Sequence, residues 1–112
     1  MLETLTHADF APHVNTYFRL QRFSDTSLAD AALADAALDI KLIRVEEYTS
    51  APNQERFALF FLAPHETPVQ QGAYQLDHEQ LGRGVLFLVP ISRDQDGLCL
   101  EAVFNRQLKV VS

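Results

Sequence analysis

Hydrophobic and polar positions alternate along several short stretches of the chain, which is the pattern of β-strands with one buried face. The first stretch is VNTYFRLQRF (14–23), where every second residue shares a face: Val14, Thr16, Phe18 and Leu20. DIKLIRVEEY (39–48) also alternates, with one change of phase near residues 42–43 that predicts a β-bulge. GAYQLDH (72–78) and LCLEAVFN (98–105) complete the alternating set. These four stretches predict strands that are polar on the outside.

Two further stretches are apolar without alternation. Residues 57–63 and 85–90 contain no polar side chain; Pro64 follows the first run and Gly84 precedes the second. Such runs are typical of strands covered on both faces, here by a second sheet (the favoured interpretation), by another segment or by another subunit. Together the six strands predict a mainly β fold, an antiparallel sandwich or a small barrel.

A short N-terminal helix is predicted before the first strand. Thr6 is a suitable N-cap, Asp9 lies three residues later as in a capping box, and Pro12 closes the helix. Leu5 and Phe10 would hold this helix against the body of the domain.

The segment SLADAALADAALD contains the five residues LADAA twice. A five-residue duplication rotates the apolar face of a helix and exchanges the two faces of a strand, so a core element accommodates it poorly. We therefore assign residues 27–38 to a peripheral Ala-rich insertion in a single β domain spanning residues 1–112. Whether the region Ala29–Ala37 is a helix or an extended loop stays open.

Composition and charge narrow the classes of partner. The 112 residues are 47% hydrophobic and 21% charged, as in an ordinary globular domain. The net charge is −6 and the cations do not cluster, which argues against binding to nucleic acid or to an anionic membrane. Cys99 has no second cysteine to pair with. The chain shows neither a signal-peptide pattern nor a run of membrane-span length, so we expect a cytoplasmic protein.

Two motifs resemble metal sites but each lacks an essential residue. HEQLG (78–82) begins like a metalloprotease helix and has Gly82 where the second histidine is required. SRDQDG (92–97) begins like a calcium loop, but Val103 occupies the place of the bidentate glutamate. Both stretches are better interpreted as turns, and we predict no metal site and no cofactor. Metal binding by histidines that the fold brings together is a third alternative for function.

No catalytic residue is predicted. Glu46 and Glu47 are neighbours on a strand and point to opposite faces, and Cys99 has no histidine nearby in the sequence. The chain has no nucleophile elbow, phosphate loop or dinucleotide fingerprint. Enzyme is therefore the weaker functional class.

Three segments resemble a family of small, uncharacterised bacterial proteins: residues 2–20, 68–82 and 86–105. The C-terminal pattern is P-x3-D-x-D-G-x3-E-x2-F-N, made by Pro90, Asp94, Asp96, Gly97, Glu101, Phe104 and Asn105. The resemblance implies no activity, and such proteins look like neighbours of phage-tail-like structural proteins, which implies an assembly role. Within the pattern we expect a structural polar cluster that stabilises the last hairpin, formed by Asp94, Asp96, Glu101 and Asn105.

These observations favour a non-enzymatic structural or protein-interaction module that associates with itself or with a protein partner. The alternative is a small-ligand-binding barrel, or an enzyme, with an internal cavity. In that case Tyr17, Tyr48, Tyr74 and the histidines would supply the polar lining.

Overall fold

Six antiparallel strands form a closed barrel in the computed structural model, which describes residues 2–22, 38–48, 54–65 and 70–107. The strands are β1 (Tyr17–Arg22), β2 (Leu38–Glu47), β3 (Gln54–Ala63), β4 (Gly72–His78), β5 (Gly82–Asp94) and β6 (Gly97–Gln107). Their order around the wall is β1-β2-β3-β6-β5-β4, and pairing between β4 and β1 closes the ring. The predicted mainly β fold is confirmed, in the form of a barrel.

The N-terminal segment precedes β1 as three short elements: a 3-10 turn at Leu2–Thr4, the helix α1 (His7–Phe10) and a 3-10 turn at Ala11–His13. The predicted capping box is present, since the Thr6 hydroxyl accepts from the Asp9 amide at 3.3 Å and the Asp9 carboxylate accepts from the Thr6 amide at 2.8 Å. These bonds satisfy backbone donors that the first turn of a helix otherwise leaves open.

The first strand begins later than its alternation pattern indicates. Val14 and Thr16 lie outside β1, which starts at Tyr17. Asn15 has a φ of 76°, in the left-handed region where asparagine is one of the few tolerated side chains. The chain therefore turns at Asn15 before it joins the barrel wall.

Large apolar side chains fill the barrel, as expected for so few strands. Inward positions of the strands supply Phe18, Leu20, Ile40, Leu42, Phe57, Leu59, Phe61, Ala63, Leu76, Leu86, Leu88, Leu98, Leu100, Ala102 and Phe104. Leu2 and Phe10 of the N-terminal segment join this cluster and are fully buried.

The N-terminal segment closes one end of the barrel, which we name the plugged end. Neighbouring strands are antiparallel, so the starts of β1, β3 and β5 and the ends of β2, β4 and β6 meet there. The Phe10 ring lies 6.1 Å from the ring of Phe57 and 5.7 Å from that of Phe104, measured between centroids. Phe57 and Phe104 stack at 4.5 Å, so three aromatic rings seal this end.

Two irregularities bend the strands. The register of β2 against β3 shifts between Leu42 and Arg44, which confirms the predicted bulge. A second shift separates Pro90 from Ser92 in the β5–β6 ladder. Proline has no amide hydrogen to donate and is tolerated in sheets at bulges of this kind.

The outward face of β3 is covered by side chains of the neighbouring strand. Phe60 points away from the barrel interior yet is 4% exposed. The guanidinium of Arg44, its register partner on β2, lies 4.2 Å from the centre of the Phe60 ring, and an Arg44 Nη2 atom is 3.3 Å from Glu46 Oε2. The described strands form one closed barrel, so the expectation that a second sheet covers β3 is wrong, and the Phe60 ring is contacted instead by the Arg44 guanidinium.

The Ala-rich insertion lies outside the described residues except at its last position. Leu38, which we assigned to the insertion, is the first residue of β2 and pairs with Leu20 of β1.

Candidate functional site

The barrel wall carries an exposed apolar surface on β5 and β6. Its members are the outward residues Val85, Phe87, Val89 and Val103, and we name it the β5–β6 patch. Phe87 exposes 54% and Val103 57% of their surface. Val89 pairs with Glu101, so continuation of that register would place Phe87 directly opposite Val103. The patch is therefore one continuous surface across two neighbouring strands.

A groove opens in the β5–β6 patch. The described pairing of β5 with β6 runs from Asp94–Gly97 to Val89–Glu101 and does not extend toward the plugged end. The groove has a volume of about 280 Å³ and is lined by Val85, Leu86, Phe87, Ala102, Val103, Phe104 and Asn105. On its other side Phe87 pairs with Ala73 of β4, whose methyl group is too small to cover the ring.

His78 occupies a buried site at the plugged end, where it joins β4, the following turn and the N-terminal segment. Its Nδ1 atom accepts from the amides of Gln80 and Leu81 at 3.0 and 3.1 Å. Its Nε2 atom is 2.9 Å from the Thr16 hydroxyl, which donates to the His13 carbonyl at 2.6 Å. Because the Thr16 hydroxyl donates its only proton to the His13 carbonyl, Nε2–H of His78 must be the donor to Thr16. This arrangement assigns the neutral Nε2–H tautomer to His78.

The surroundings of His78 disfavour its charged form. Burial lowers the pKa of His78 below 6.5, the nearby His13 lowers it further, and Glu79 opposes the shift. The His13 ring lies 4.8 Å and the Phe18 ring 4.5 Å from the His78 ring between centroids. The imidazole is therefore packed as a neutral aromatic ring.

Asp94 and Asp96, two members of the predicted polar cluster, lie in one turn. The carboxylate of Asp94 accepts from the Asp96 amide at 2.8 Å, and Gly97 follows with a φ of 141°. This is an Asx-type turn, which explains the aspartates of SRDQDG. Glu101 pairs with Val89 and Phe60 further along β6, and Asn105 pairs with Arg56 near the plugged end.

Cys99 faces outward on β6 opposite Ser92 and is half-buried. Burial raises the pKa of the Cys99 thiol; Arg44 opposes this, Glu101 and Asp94 add to it, and a hydrogen bond from Ser92 opposes it. A raised pKa keeps the thiol protonated near neutral pH, and a protonated thiol is a poor nucleophile.

The residues considered for an internal ligand site lie in separate parts of the described structure. Tyr17 and Tyr48 expose 60% and 38% of their surface, and the Tyr74 hydroxyl donates to the Gln70 carbonyl at 2.7 Å. His7 packs edge-on against Phe57, and His65 lies at the far end of β3, where its carbonyl accepts from Arg93. In the ranges that the structure describes, no three His, Cys, Asp or Glu side chains form a group that could hold a metal ion.

A second groove of about 470 Å³ lies beside α1 at the plugged end. It is lined by Thr6, His7, Ala8, Glu47, Tyr48, Gln54, Glu55 and Arg56. The Glu55 carboxylate accepts from the His7 amide at 3.3 Å, and this bond ties α1 to β3.

A family model described as a domain of unknown function (DUF6916) matches residues 5–104. The chain belongs to this family. The match spans the N-terminal segment and all six strands, so the barrel described above is the fold of a DUF6916 domain. Neither the curated proteins nor the solved structures contain a match to the chain. Over the described ranges, no helix combines the length and apolar character needed to cross a bilayer.

The sequence indicated the β5–β6 patch only in part. The apolar run 85–90 marked β5 as a strand in need of cover, but nothing in the sequence distinguished Phe87 as exposed. His78 was missed, because HEQLG was interpreted as a turn and its histidine as one without a role. The turn exists at residues 79–81, and His78 is the acceptor that holds it.

Proposed function

We propose that this DUF6916 domain is a non-enzymatic interaction module that pairs with a second copy of itself through the β5–β6 patch. The observation that carries the proposal is the exposure of Phe87 and Val103 side by side across a groove. Contiguous exposed apolar surface, unlike single scattered apolar residues, marks interaction sites on soluble proteins.

The shape of the patch suits a two-fold contact between identical chains. A two-fold interface needs a surface that is complementary to itself, with residue i of one copy against residue j of the other and the reverse. The patch offers an exposed ring, Phe87, at a groove whose lining includes Leu86, Ala102 and Phe104. Two copies related by a two-fold axis would each place Phe87 against the groove of the other.

Charge favours a second copy over a charged partner. None of the four patch residues carries a charge, and Glu101 lies at its border beside Val89. The net charge of −6 opposes self-association by long-range repulsion, which salt screens. The uncharged patch adds no like-charge contact to that repulsion and offers little to attract a basic partner.

The size of the patch sets the expected affinity. A fully buried Phe contributes roughly 150–250 Å², so a half-exposed Phe87 offers about 100 Å² and the whole patch a few hundred. Stable interfaces bury about 800 Å² on each partner. We therefore expect a weak dimer, with a dissociation constant in the range of about 10 μM to 1 mM.

Weak pairing between neighbouring copies suits a component of a larger assembly, where local concentration is high. The sequence resemblance to neighbours of phage-tail-like structural proteins is the support for an assembly of that kind. The runner-up function, a ligand-binding barrel, has less support, because apolar side chains occupy the inward positions of the described strands.

Sedimentation velocity and NMR spectra recorded from about 10 μM to 1 mM protein would test the proposal. The wild-type chain should show a concentration-dependent increase in sedimentation coefficient. The amide shifts that move with concentration should lie in β5 and β6. The variant Phe87→Glu, which places like charges across the two-fold axis, should remain monomeric at every concentration.

The matched control is Tyr17→Glu, which adds the same charge at a residue of similar exposure on the strand opposite β6 in the ring. It should associate like the wild type. A wild-type chain that stays monomeric at 1 mM would overturn the proposal. So would an equal loss of association in both variants, or shift changes confined to other strands.

A further inference from the structure

We propose that His78 is a pH-sensitive latch that holds the N-terminal segment in the plugged end of the barrel. In the neutral form the imidazole joins three parts of the fold: β4, the turn that leads to β5, and the segment that leads to β1. On protonation these connections cannot all persist, so mildly acidic conditions loosen the plugged end before the rest of the barrel.

The hydrogen-bond geometry carries this inference. The Nδ1 atom faces two backbone amides, those of Gln80 and Leu81, and accepts from both. A proton on Nδ1 would convert this atom into a donor that points at two other donors. Both bonds would be lost, or the ring would rotate out of its site, and the turn would lose the acceptor that holds it.

The other ring nitrogen links His78 to the N-terminal segment. Nε2–H donates to the Thr16 hydroxyl, which in turn donates to the His13 carbonyl. The adjacent backbone is held to β2, because the Asn15 amide donates to the Leu42 carbonyl and the Leu42 amide donates to the Thr16 carbonyl. Movement of the His78 ring therefore acts on the chain that connects the plug to β1.

The groups that face His78 favour its neutral form on balance. Phe18 of β1 presents an aromatic ring and Thr16 a hydroxyl, while His13 of the 3-10 turn presents a second imidazole. Glu79, in the turn after β4, is the acidic group that acts on His78, and its effect is smaller than those of burial and His13.

Opening the latch would expose the aromatic seal. Leu2 and Phe10 are fully buried in the plugged end, and Phe10 contacts both Phe57 and Phe104. Phe104 also lines the groove of the β5–β6 patch. Acid would therefore enlarge the apolar surface beside that patch without requiring the other end of the barrel to unfold.

Amide hydrogen exchange and histidine NMR of the full chain between pH 7.5 and pH 5 would test the latch. The protection of Gln80 and Leu81, corrected for intrinsic exchange, should fall by roughly tenfold or more as pH decreases, as expected for the loss of two hydrogen bonds. The amide of Leu100, in the middle of β6, should keep its protection. His78 should take up its proton below the ordinary histidine pKa of 6.5.

Two variants separate the parts of the latch. His78→Phe keeps an aromatic ring against Phe18 and removes both nitrogens, so the turn amides should lack protection at every pH. If that variant does not fold, Thr16→Val serves instead: it breaks the link through Nε2 and leaves the Nδ1 bonds in place. In Thr16→Val the Asn15 amide should lose its protection from exchange. The loss of protection at Gln80 and Leu81 on acidification should remain.

The control is His65→Gln, which removes an exposed histidine. The loss of protection at Gln80 and Leu81 on acidification should be the same as in the wild type. The latch would be overturned if the pKa of His78 were not lowered below 6.5, or if the turn amides kept their protection at pH 5. It would also be overturned if the turn amides and Leu100 lost protection in parallel, since the acid effect would then be global unfolding.

Discussion

Replacing Gly97 with alanine should strongly destabilise the barrel, although the change adds one methyl group. Gly97 begins β6 with a φ of 141°, a conformation that residues with a Cβ rarely adopt. A Cβ at this position would overlap the carbonyl oxygen of Ala63 and lie 3.0 Å from Leu62 Cδ1. The obstacle is mainly backbone, so a change of rotamer cannot relieve it.

The magnitude follows from three contributions. The backbone conformation costs about 1–3 kcal/mol for a residue other than glycine. Relief of the overlap separates β6 from β3 at the Ala63–Leu98 pair and weakens two ladder hydrogen bonds, each contributing about 0.5–1.5 kcal/mol. Alanine also restricts the unfolded chain, which offsets about 0.4–1 kcal/mol. The net loss in the free energy of unfolding should be about 1–5 kcal/mol, and the Tm should fall by at least about 4 °C.

Urea denaturation followed by circular dichroism measures this loss, with Gly72→Ala as the control for the same chemical change. At Gly72 the nearest atom to an added Cβ is Tyr74 Cε2 at 4.0 Å, an ordinary contact. Its φ is outside the positive range, so alanine should be neutral or stabilising by up to about 1 kcal/mol. A loss below about 1 kcal/mol for Gly97→Ala, or equal losses in both variants, would refute the reasoning.

Two further predictions concern the core and the pH dependence of stability. Phe61→Ala removes a fully buried ring that contacts Phe18 edge-on at 5.3 Å, so unfolding experiments should show a loss of about 3–5 kcal/mol. Phe87→Ala removes an exposed ring and should cost less than about 1 kcal/mol; equal losses would contradict the assigned core. The folded pKa of His78 lies below the unfolded value of 6.5, so the unfolded chain binds more protons between these two pKa values. The free energy of unfolding should therefore rise with pH through this window. Denaturation experiments at several pH values should find this rise reduced in His78→Phe and retained in His65→Gln.

Several local features of the fold could be predicted because they depend on neighbours in the sequence. The capping box of Thr6 and Asp9 needs residues three apart, and the bulge near Ile43 appears as a change in alternation. The turn at SRDQDG follows from an aspartate that bonds its own backbone and a glycine at positive φ. Each of these signals is contained within a few residues.

Other features could not be predicted because they depend on which strands are neighbours. Alternation gives the same pattern for a sandwich and for a barrel, since each strand has one inward face in both. The position of β6 between β3 and β5 is fixed by long-range register, which the sequence does not display. The roles of His78 and Thr16 depend on a contact between residues 62 positions apart.

The two apolar strands show how the same sequence pattern leads to opposite exposure. On β3, Phe60 has Arg44 as its register partner, and a long side chain with a guanidinium head covers the ring. On β5, Phe87 has Ala73 on one side, while on the other side the ladder with β6 has already ended. Cover therefore depends on the size of the neighbouring side chain and on where a ladder stops. Because Arg44 covers Phe60 and Phe87 stays exposed, β5 is the strand on which the proposed pairing with a second copy would bury apolar surface.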